Sequence, residues 1–484
     1  MRTAKTLSVI MLICTGLMIG IGWGISECTA APANISGKWL GTIKVPNEEL
    51  RFAFEISETK EGGYTALGYS IDQGAMNIPM STVTVTGDSL RIELESAFAY
   101  EGRLQPDGNT ITGNWIQGEV IPFEMKRVDN IPGINRPQTP KKPYPYIEEE
   151  VTYENRTAGV TLAGTLTMPK GKGPFPAVVL ISGSGQNNRD EEFHSHRPFM
   201  VLADYLTRRG IAVLRFDDRG VGGSTGDFSK ATTGDFADDA LAGIEFLKGR
   251  KEIDPKQMGL IGHSEGGMIG PIAATRSPDV AFIVMLGGPG EPLADTLVGQ
   301  KLRRANWDAP AEDALLALIR FWYGRLYALV AEDTDNEIAE KKIRALHATL
   351  TADEKKKLEW PDDKLDGKIA ESLSPWMRYF IRYDTQATLM KVKCPVLALN
   401  GGKDCQIPPK ENLGGIERAL KAGGNRDFTI RELPGLNHFF QTCKTGGTSE
   451  YGGIEETMSP LALQTVSEWI TAQTGTGKTI DSWE

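Results

Sequence analysis

Between Pro176 and Leu433 the chain repeats one pattern: a short, mostly apolar run, then a stretch with helical spacing. The runs are PAVVLIS (176–182), IAVLRF (211–216), MGLIG (258–262), AFIVMLG (281–287), CPVLALN (394–400) and DFTIREL (427–433). Short runs without polar alternation suit strands that are covered on both faces, as in parallel sheets. RPFMVLADYLTRRG and FADDALAGIEFLKGR lie between them and place apolar residues on one helical face. Parallel strands need crossovers, and the crossover helices cover the sheet. The expected fold class is therefore α/β, a doubly wound, mostly parallel sheet. EEVTYEN and VTLAGTLTMP precede the first parallel strand and are expected to add an antiparallel edge.

The rhythm breaks between Gly288 and Cys394, where no strand pattern occurs. DALLALIRFWYGRLYALVAEDTDNEIAEKKIRALHATLTADEKKKLEW reads as two or three amphipathic helices. An insertion in such a sheet belongs at the loop side, where ligands bind. Residues 291–385 are accordingly expected to form a helical lid. Within it, Phe321, Trp322 and Tyr323 either pack the lid helices together or wall the site.

Ahead of the α/β region, GKWLGTIKV, LRFAFEIS, YTALGYS, STVTVTGDSLRIELES and TITGNWI alternate at period two, with TGDS and PDGNT as hairpin turns. Residues 35–128 are thus expected to form a small antiparallel β-domain, a barrel or sandwich, with Trp39 and Trp115 in its core or at its end. The five prolines of DNIPGINRPQTPKKPYPY make residues 129–146 a stiff, extended linker. Residues 147–484 then form the second domain.

Arg2 and Lys5 precede an apolar run from Leu7 to Ile25, and SECTAAPA follows. This order of charged, apolar and small residues is that of an export signal, residues 1–30, cut after Ala30. The protein is then periplasmic or secreted. The alternative is an uncleaved inner-membrane anchor over residues 7–25, the one route to a membrane. Glu27 argues against acylation of Cys28, where a small residue should precede. The 484-residue chain has a net charge of −10, which argues against a nucleic-acid partner. Its oligomeric state is not legible. No His/Cys cluster has metal-ligand spacing, and neither metal nor cofactor is expected.

The chemistry centres on LIGHSEGGMIG (259–269). A strand, a serine between glycines and a small-residue helix make Gly262-His263-Ser264-Glu265-Gly266 a nucleophile elbow. The turn is too tight for side chains at the glycines, and strain at Ser264 pushes its hydroxyl out of the sheet. A serine needs a base. The chain has five histidines, and His438, in LPGLNHFF after the last strand, is the candidate. His263 adjoins the serine but points elsewhere, and His347 falls in the lid. His194 and His196 are read as surface residues, with the pocket mouth as the alternative. Asp404, after the penultimate strand, completes the order Ser264, Asp404, His438. Asp362 and Asp363 are weaker candidates for the acid. Backbone N–H groups of Glu265 and of Ser184, in Ser182-Gly183-Ser184-Gly185, are expected to hold the oxyanion, with Gly185 second to Ser184. Asp217 and Asp218 have metal-ligand spacing, but a loop organised by an Asp–Arg219 network is the preferred reading.

From about Glu148 onward, SGSGQNNRDEE, LADYLTRRGIAVLRFDDRGVGGSTG, GLIGHSEGG, SPWMRYFIRYD, CPVLALNGGKDCQIPPKEN and LPGLNHFFQ resemble bacterial α/β-hydrolases of the dienelactone-hydrolase-like and serine-aminopeptidase-like branches. The resemblance is to esterases with an N-terminal β-domain. It implies hydrolysis of small-molecule acyl esters, with the triad on Ser264, Asp404 and His438. Many relatives carry His-Gly on the oxyanion loop, and here Ser182-Gly183 stands in its place. Backbone donation survives that change, but any role of the ring does not. Cys405 and Cys443 follow Asp404 and His438 closely, so triad geometry brings both loops together and a disulfide between them is expected. Cys394 opens a buried strand and is expected to be inert. Two competitors share the machinery: a peptidase or aminopeptidase, with lid acids such as Glu332 and Asp333 holding the ammonium, and a thioesterase. The non-enzymatic competitor is a ligand-binding β-domain on an inactive scaffold, against which the complete Ser–Asp–His set argues.

Overall fold

A computed structural model describes residues 34–475, apart from residues 46–47, 73–74, 96, 134, 307–309 and 334. The expected signal and the alternative anchor lie outside the described residues. The chain divides into two compact units that meet between Asn135 and Arg136.

The N-terminal unit is one antiparallel sheet of nine strands between Gly37 and Val128; the first strand, Gly37–Val45, lies between Glu48–Glu58 and Glu119–Val128, and the sheet ends at Ala75–Pro79 on one side and Thr82–Thr86 on the other. The alternating residues put Trp39, Phe54, Tyr100, Trp115 and Phe123 into one core. The Trp39 indole donates to the Ile35 carbonyl at 2.8 Å, and Trp115 stacks on Phe98 at 3.9 Å. Both tryptophans are therefore core residues. Three strands escaped the sequence pattern: Ala75–Pro79, Phe98–Leu104 and Glu119–Val128. Pro122 is tolerated in the last because only the stretch from Met125 to Val128 pairs with the first strand.

The second unit holds an eight-stranded sheet. Its strands are β1 (Ile147–Asn155), β2 (Val160–Met168), β3 (Phe175–Ile181), β4 (Ala212–Phe216), β5 (Ile253–His263), β6 (Phe282–Leu286), β7 (Val396–Gly401) and β8 (Phe428–Leu433), in the spatial order 1-2-4-3-5-6-7-8. β1 and β2 form the antiparallel edge, and β3 to β8 are parallel. The winding reverses between β3 and β5, so the loops after these strands splay apart and leave a crevice at their carboxyl ends.

Helices α1 (Pro198–Thr207) and α12 (Pro460–Thr474) bury Phe199, Leu202, Leu206, Val466 and Ile470 against one face. On the other face lie α2 (Thr233–Lys248), α3 (Gly266–Arg276) and α11 (Pro409–Ala422), through residues such as Ile244, Ile272 and Ile416. α2 starts with a capping box: the Thr232 hydroxyl accepts from Asp235 N, and the Asp235 carboxylate accepts from Thr232 N. Such a cap stabilises a helix by about 1 kcal/mol.

The proline-rich segment is not a free spacer along its whole length. Arg136 donates to the carbonyls of His194, Gly452 and Ile454, and Gln138 donates to that of Met458. These bonds fasten the segment from Arg136 onward to the second unit.

Between β6 and β7 the described residues form seven helices: α4 (Leu293–Ala305), α5 (Asp313–Glu332), α6 (Asn336–His347), α7 (Ala352–Lys357), α8 (Leu365–Ser372), α9 (Pro375–Arg382) and α10 (Thr385–Leu389). They have their own core, built on Trp322, Leu326, Val330, Ile343 and Trp360. α5 is long and apolar enough to cross a membrane by length and composition, but here Trp322 and Tyr323 are buried in that core. Phe321 is exposed, so none of the three aromatic residues walls the site.

Candidate active site

β5 ends at His263, and Ser264 follows with φ +53°, in the left-handed region that a serine rarely adopts. The chain is held there by Ser264 N donating to Leu286 O at 2.8 Å. A Cβ on Gly262 would meet Gly266 O at 1.9 Å, and one on Gly266 would meet Ile181 O at 2.2 Å. Only glycine fits at either position, which is why the serine is flanked as it is. α3 begins directly after the turn and aims its N-terminus at the serine's surroundings.

Asp404 lies in the loop after β7, fully enclosed. Its Oδ1 accepts the backbone N–H groups of Gln406 (2.9 Å) and Ile407 (2.8 Å). Its Oδ2 faces His438 Nδ1 at 2.7 Å. The carboxylate therefore orients the ring and leaves Nε2 for other work. His438 sits in the loop after β8, which is shaped by Asn437: its Oδ1 accepts from Phe439 N and Gln441 N.

Ser264, His438, Ser184 and Glu265 line one cavity of about 270 Å³. Asp404 stands behind it. Among the described residues, the N–H groups of Ser184 and Glu265 donate to no protein acceptor. Such an arrangement can bind an electrophilic carbonyl beside a hydroxyl with an imidazole in reach.

Two acids at this site carry no local sequence signal. Glu265 was expected only as a backbone donor, yet its buried carboxyl accepts from the Thr233 hydroxyl (2.6 Å) and the Trp376 indole (2.8 Å). Burial raises its pKa, and the bonds from Thr233, Trp376 and Ser184 only partly offset this. Trp376 belongs to α9, so the helical insertion is fastened to the elbow. Glu191 is buried with φ +50° and accepts from Gly183 N (2.6 Å), with His263 Nδ1 at 2.8 Å.

Several expectations need correction. Cys405 and Cys443 form no disulfide. Each sulfur donates to a different carbonyl, Gly446 O at 2.8 Å and Gly435 O at 3.3 Å. The loops are instead joined by Lys403, whose ammonium donates to Cys443 O (3.2 Å) and Lys444 O (2.7 Å). Burial pushes the Cys394 thiol up to about 11. His196 is neither at the surface nor at the pocket mouth. It is fully buried, with Thr457 Oγ1 at 2.9 Å and Tyr451 O at 3.2 Å, and burial lowers its pKa to about 4. His194 does not line the cavity, and His347 faces Trp360 O at 2.8 Å inside the insertion. Asp217 pairs with Arg189, while Arg219 pairs with Asp239 on α2. The loop after β4 is thus organised by two ion pairs rather than one network around Arg219. Asp362 bonds Lys355, and neither it nor Asp363 lines the cavity.

Comparison with known proteins gives the following similarities. The model of the alpha/beta hydrolase family matches residues 178–443. Esterase EstD of Thermotoga maritima is 27% identical over 398 residues, covering 80% of this chain and 86% of its own. Among solved structures, Est1E from Butyrivibrio proteoclasticus with ferulic acid bound is 18% identical, at a TM-score of 0.40, over 67% of this chain and 99% of that one. The Pyrococcus furiosus esterase Pf2001 is 17% identical, at a TM-score of 0.38, over 63% of this chain and 91% of that one.

Proposed function

The chain belongs to the alpha/beta hydrolase family, and on that footing we propose that it is a serine esterase that cleaves carboxylic acyl esters with Ser264, His438 and Asp404 as its triad. Ser264 Oγ attacks the ester carbonyl while His438 Nε2 takes its proton. The oxyanion is held by the N–H groups of Glu265 and Ser184. His438 then gives the proton to the departing alcohol, leaving the acyl group on Ser264. Water, deprotonated by the same nitrogen, attacks the acyl-enzyme, and the acid leaves as the proton returns to Ser264. Asp404 fixes the tautomer and stabilises the imidazolium throughout.

The observation that carries this reading is the 2.7 Å contact of Asp404 with His438, whose ring shares a cavity with the elbow serine. Leu297, Trp376, Phe380 and Ile407 give that cavity apolar walls, and its volume of about 270 Å³ suits a short acyl or small aromatic ester. The carboxylates that line it, Glu191 and Glu265, are both engaged by protein donors. Glu332 and Asp333 do not line it, and Asp333 pairs with Lys342. That leaves, among the described residues, no free carboxylate in the cavity for a substrate ammonium and favours esters over aminopeptidase substrates.

The test is turnover of p-nitrophenyl acyl esters of increasing chain length, beside aminoacyl p-nitroanilides, by wild type and Ser264→Ala. Short esters should turn over, and Ser264→Ala should abolish this. Cleavage of the anilides alone would reassign the chain as a peptidase.

A further inference from the structure

Behind Ser264 and His438 lies a second carboxylate–imidazole pair that the proposed cycle does not use. Glu191 comes from the oxyanion loop, and His263 is the last residue of β5. Glu191 Oε1 accepts the N–H of Gly183 at 2.6 Å and meets His263 Nδ1 at 2.8 Å. His263 Nε2 lies 3.0 Å from the backbone carbonyl of His438. One hydrogen-bonded chain thus runs from the oxyanion loop, through a carboxylate and a ring, to the backbone of the base. Both side chains are enclosed, and the φ of +50° at Glu191 shows a backbone held against its preference.

We propose that Glu191 and His263 are positioning residues that hold the oxyanion loop and His438 in register with Ser264. The proposal rests on the triad reading above and adds a function for two residues outside it. His438 is then gripped twice, its ring by Asp404 and its carbonyl by His263. The Gly183 end of the same chain sets the neighbouring N–H of Ser184. The geometry also defines the state of His263. The His438 carbonyl can only accept, so His263 Nε2 donates to it; facing the Glu191 carboxylate, Nδ1 donates as well, which makes a doubly protonated ring the state the proposal expects. Burial alone would lower the His263 pKa, but the facing Glu191 carboxylate, with Asp404 further off, raises it. The groups that face this ring are Glu191 from the oxyanion loop, His438 at 4.7 Å between ring centroids, Asp404 behind it and the apolar ring of Phe439.

The test combines kinetics with spectroscopy on the whole protein. Glu191→Gln and His263→Gln should each lower kcat on the order of a hundredfold, the cost of a small misplacement of reacting groups, with KM for esters little changed. His263→Gln removes the cation that offsets the Glu191 carboxylate beside His438, so the acid limb of the kcat/KM profile should move to higher pH. In the resting wild type, the ¹⁵N resonances of His263 should report a ring that stays doubly protonated above the ordinary imidazole pKa, a state lost in Glu191→Gln. A merely structural staple would lower the melting temperature but leave kcat per folded molecule and the acid limb unmoved, and that result would overturn the proposal. A neutral His263 in the wild type would overturn it too, even if both variants failed to fold. Ester turnover that survives in Ser264→Ala would sink the triad reading instead, while the ring resonances would still decide the state of His263.

Discussion

Asp218 follows β4 with its carboxyl drawn into the protein beneath the oxyanion loop. Its Oδ1 accepts from the Ser182 hydroxyl at 2.8 Å and its Oδ2 from Asn187 N at 2.9 Å. The nearby guanidiniums of Arg189 and Arg219 pair with Asp217 and Asp239 instead. Burial therefore dominates and pushes the acid from 3.8 up to about 7, with the two bonds offsetting only part and with Glu191 and Glu265 adding repulsion. At about 1.4 kcal/mol per tenfold change in proton affinity, this amounts to about 4 kcal/mol. The small opening beside the carboxyl, lined by Gly185 and Phe228, makes that figure a ceiling. The sign follows from the raised value. Near pH 4 and below, the group's contribution to folding is fully present. As pH rises the unfolded chain gives up its proton first, so the contribution is lost between about pH 4 and 7. Asp218→Asn keeps the shape: its oxygen accepts from Asn187 N, its amide donates to Ser182, and the Ser182 hydroxyl turns to accept. Urea unfolding of variant and wild type, followed by tryptophan fluorescence, should give superimposable curves near pH 4. By pH 8 the variant should be the more stable by a few kcal/mol. A gap that does not change with pH would refute the argument.

Other perturbations test the site and the N-terminal unit. In Asp404→Asn the amide oxygen settles where Oδ1 accepts from Gln406 and Ile407. The amide N–H then faces His438 Nδ1 and enforces the wrong tautomer, so kcat should fall by roughly 10³- to 10⁴-fold with the fold intact, as read by circular dichroism. Trp376→Phe keeps the ring's bulk but removes a donor from the buried Glu265 carboxyl; the catalytic unit should lose about 1–3 kcal/mol in denaturant unfolding. Trp39→Ala empties the centre of the N-terminal sheet, where the indole is fully buried, and should cost that unit about 3–5 kcal/mol by the same measurement.

Most of the parallel strands were legible because burial on both faces leaves a nearly continuous apolar run; β8, at the sheet edge, is half-exposed and carries Arg431 and Glu432. β5 is the exception in length: it begins at Ile253, and IDPKQ, ahead of MGLIG, is too polar to read as strand. The insertion was legible as helical, but not in number. α7, ADEKKK, has no apolar stripe and is marked only by the capping box of Thr351 and Glu354. Ser264, Asp404 and His438 could be picked out because each stands at the end of a strand in a motif that local sequence defines. Glu191 and Trp376 could not, because His263, which meets Glu191, and Glu265, which Trp376 bonds, lie 72 and 111 residues away along the chain. His196 shows the same limit: a histidine in RDEEFHSH reads as exposed, and only the tertiary contacts with Thr457 and Tyr451 bury it. For Cys405 and Cys443, loop proximity was readable, but the direction of each sulfur was not.

The indole of Trp376 hydrogen-bonds the side chain of the residue whose N–H is assigned to the oxyanion. The helical insertion is thus not an interchangeable module. An engineer who grafts a different cap between β6 and β7 to widen the ester range must also supply a donor where Trp376 now stands. Without it, a buried acid beside Ser264 loses a partner, and the exchange reaches the elbow as well as the walls. Caps in this chain are therefore best redesigned together with Glu265 and Thr233, as one block.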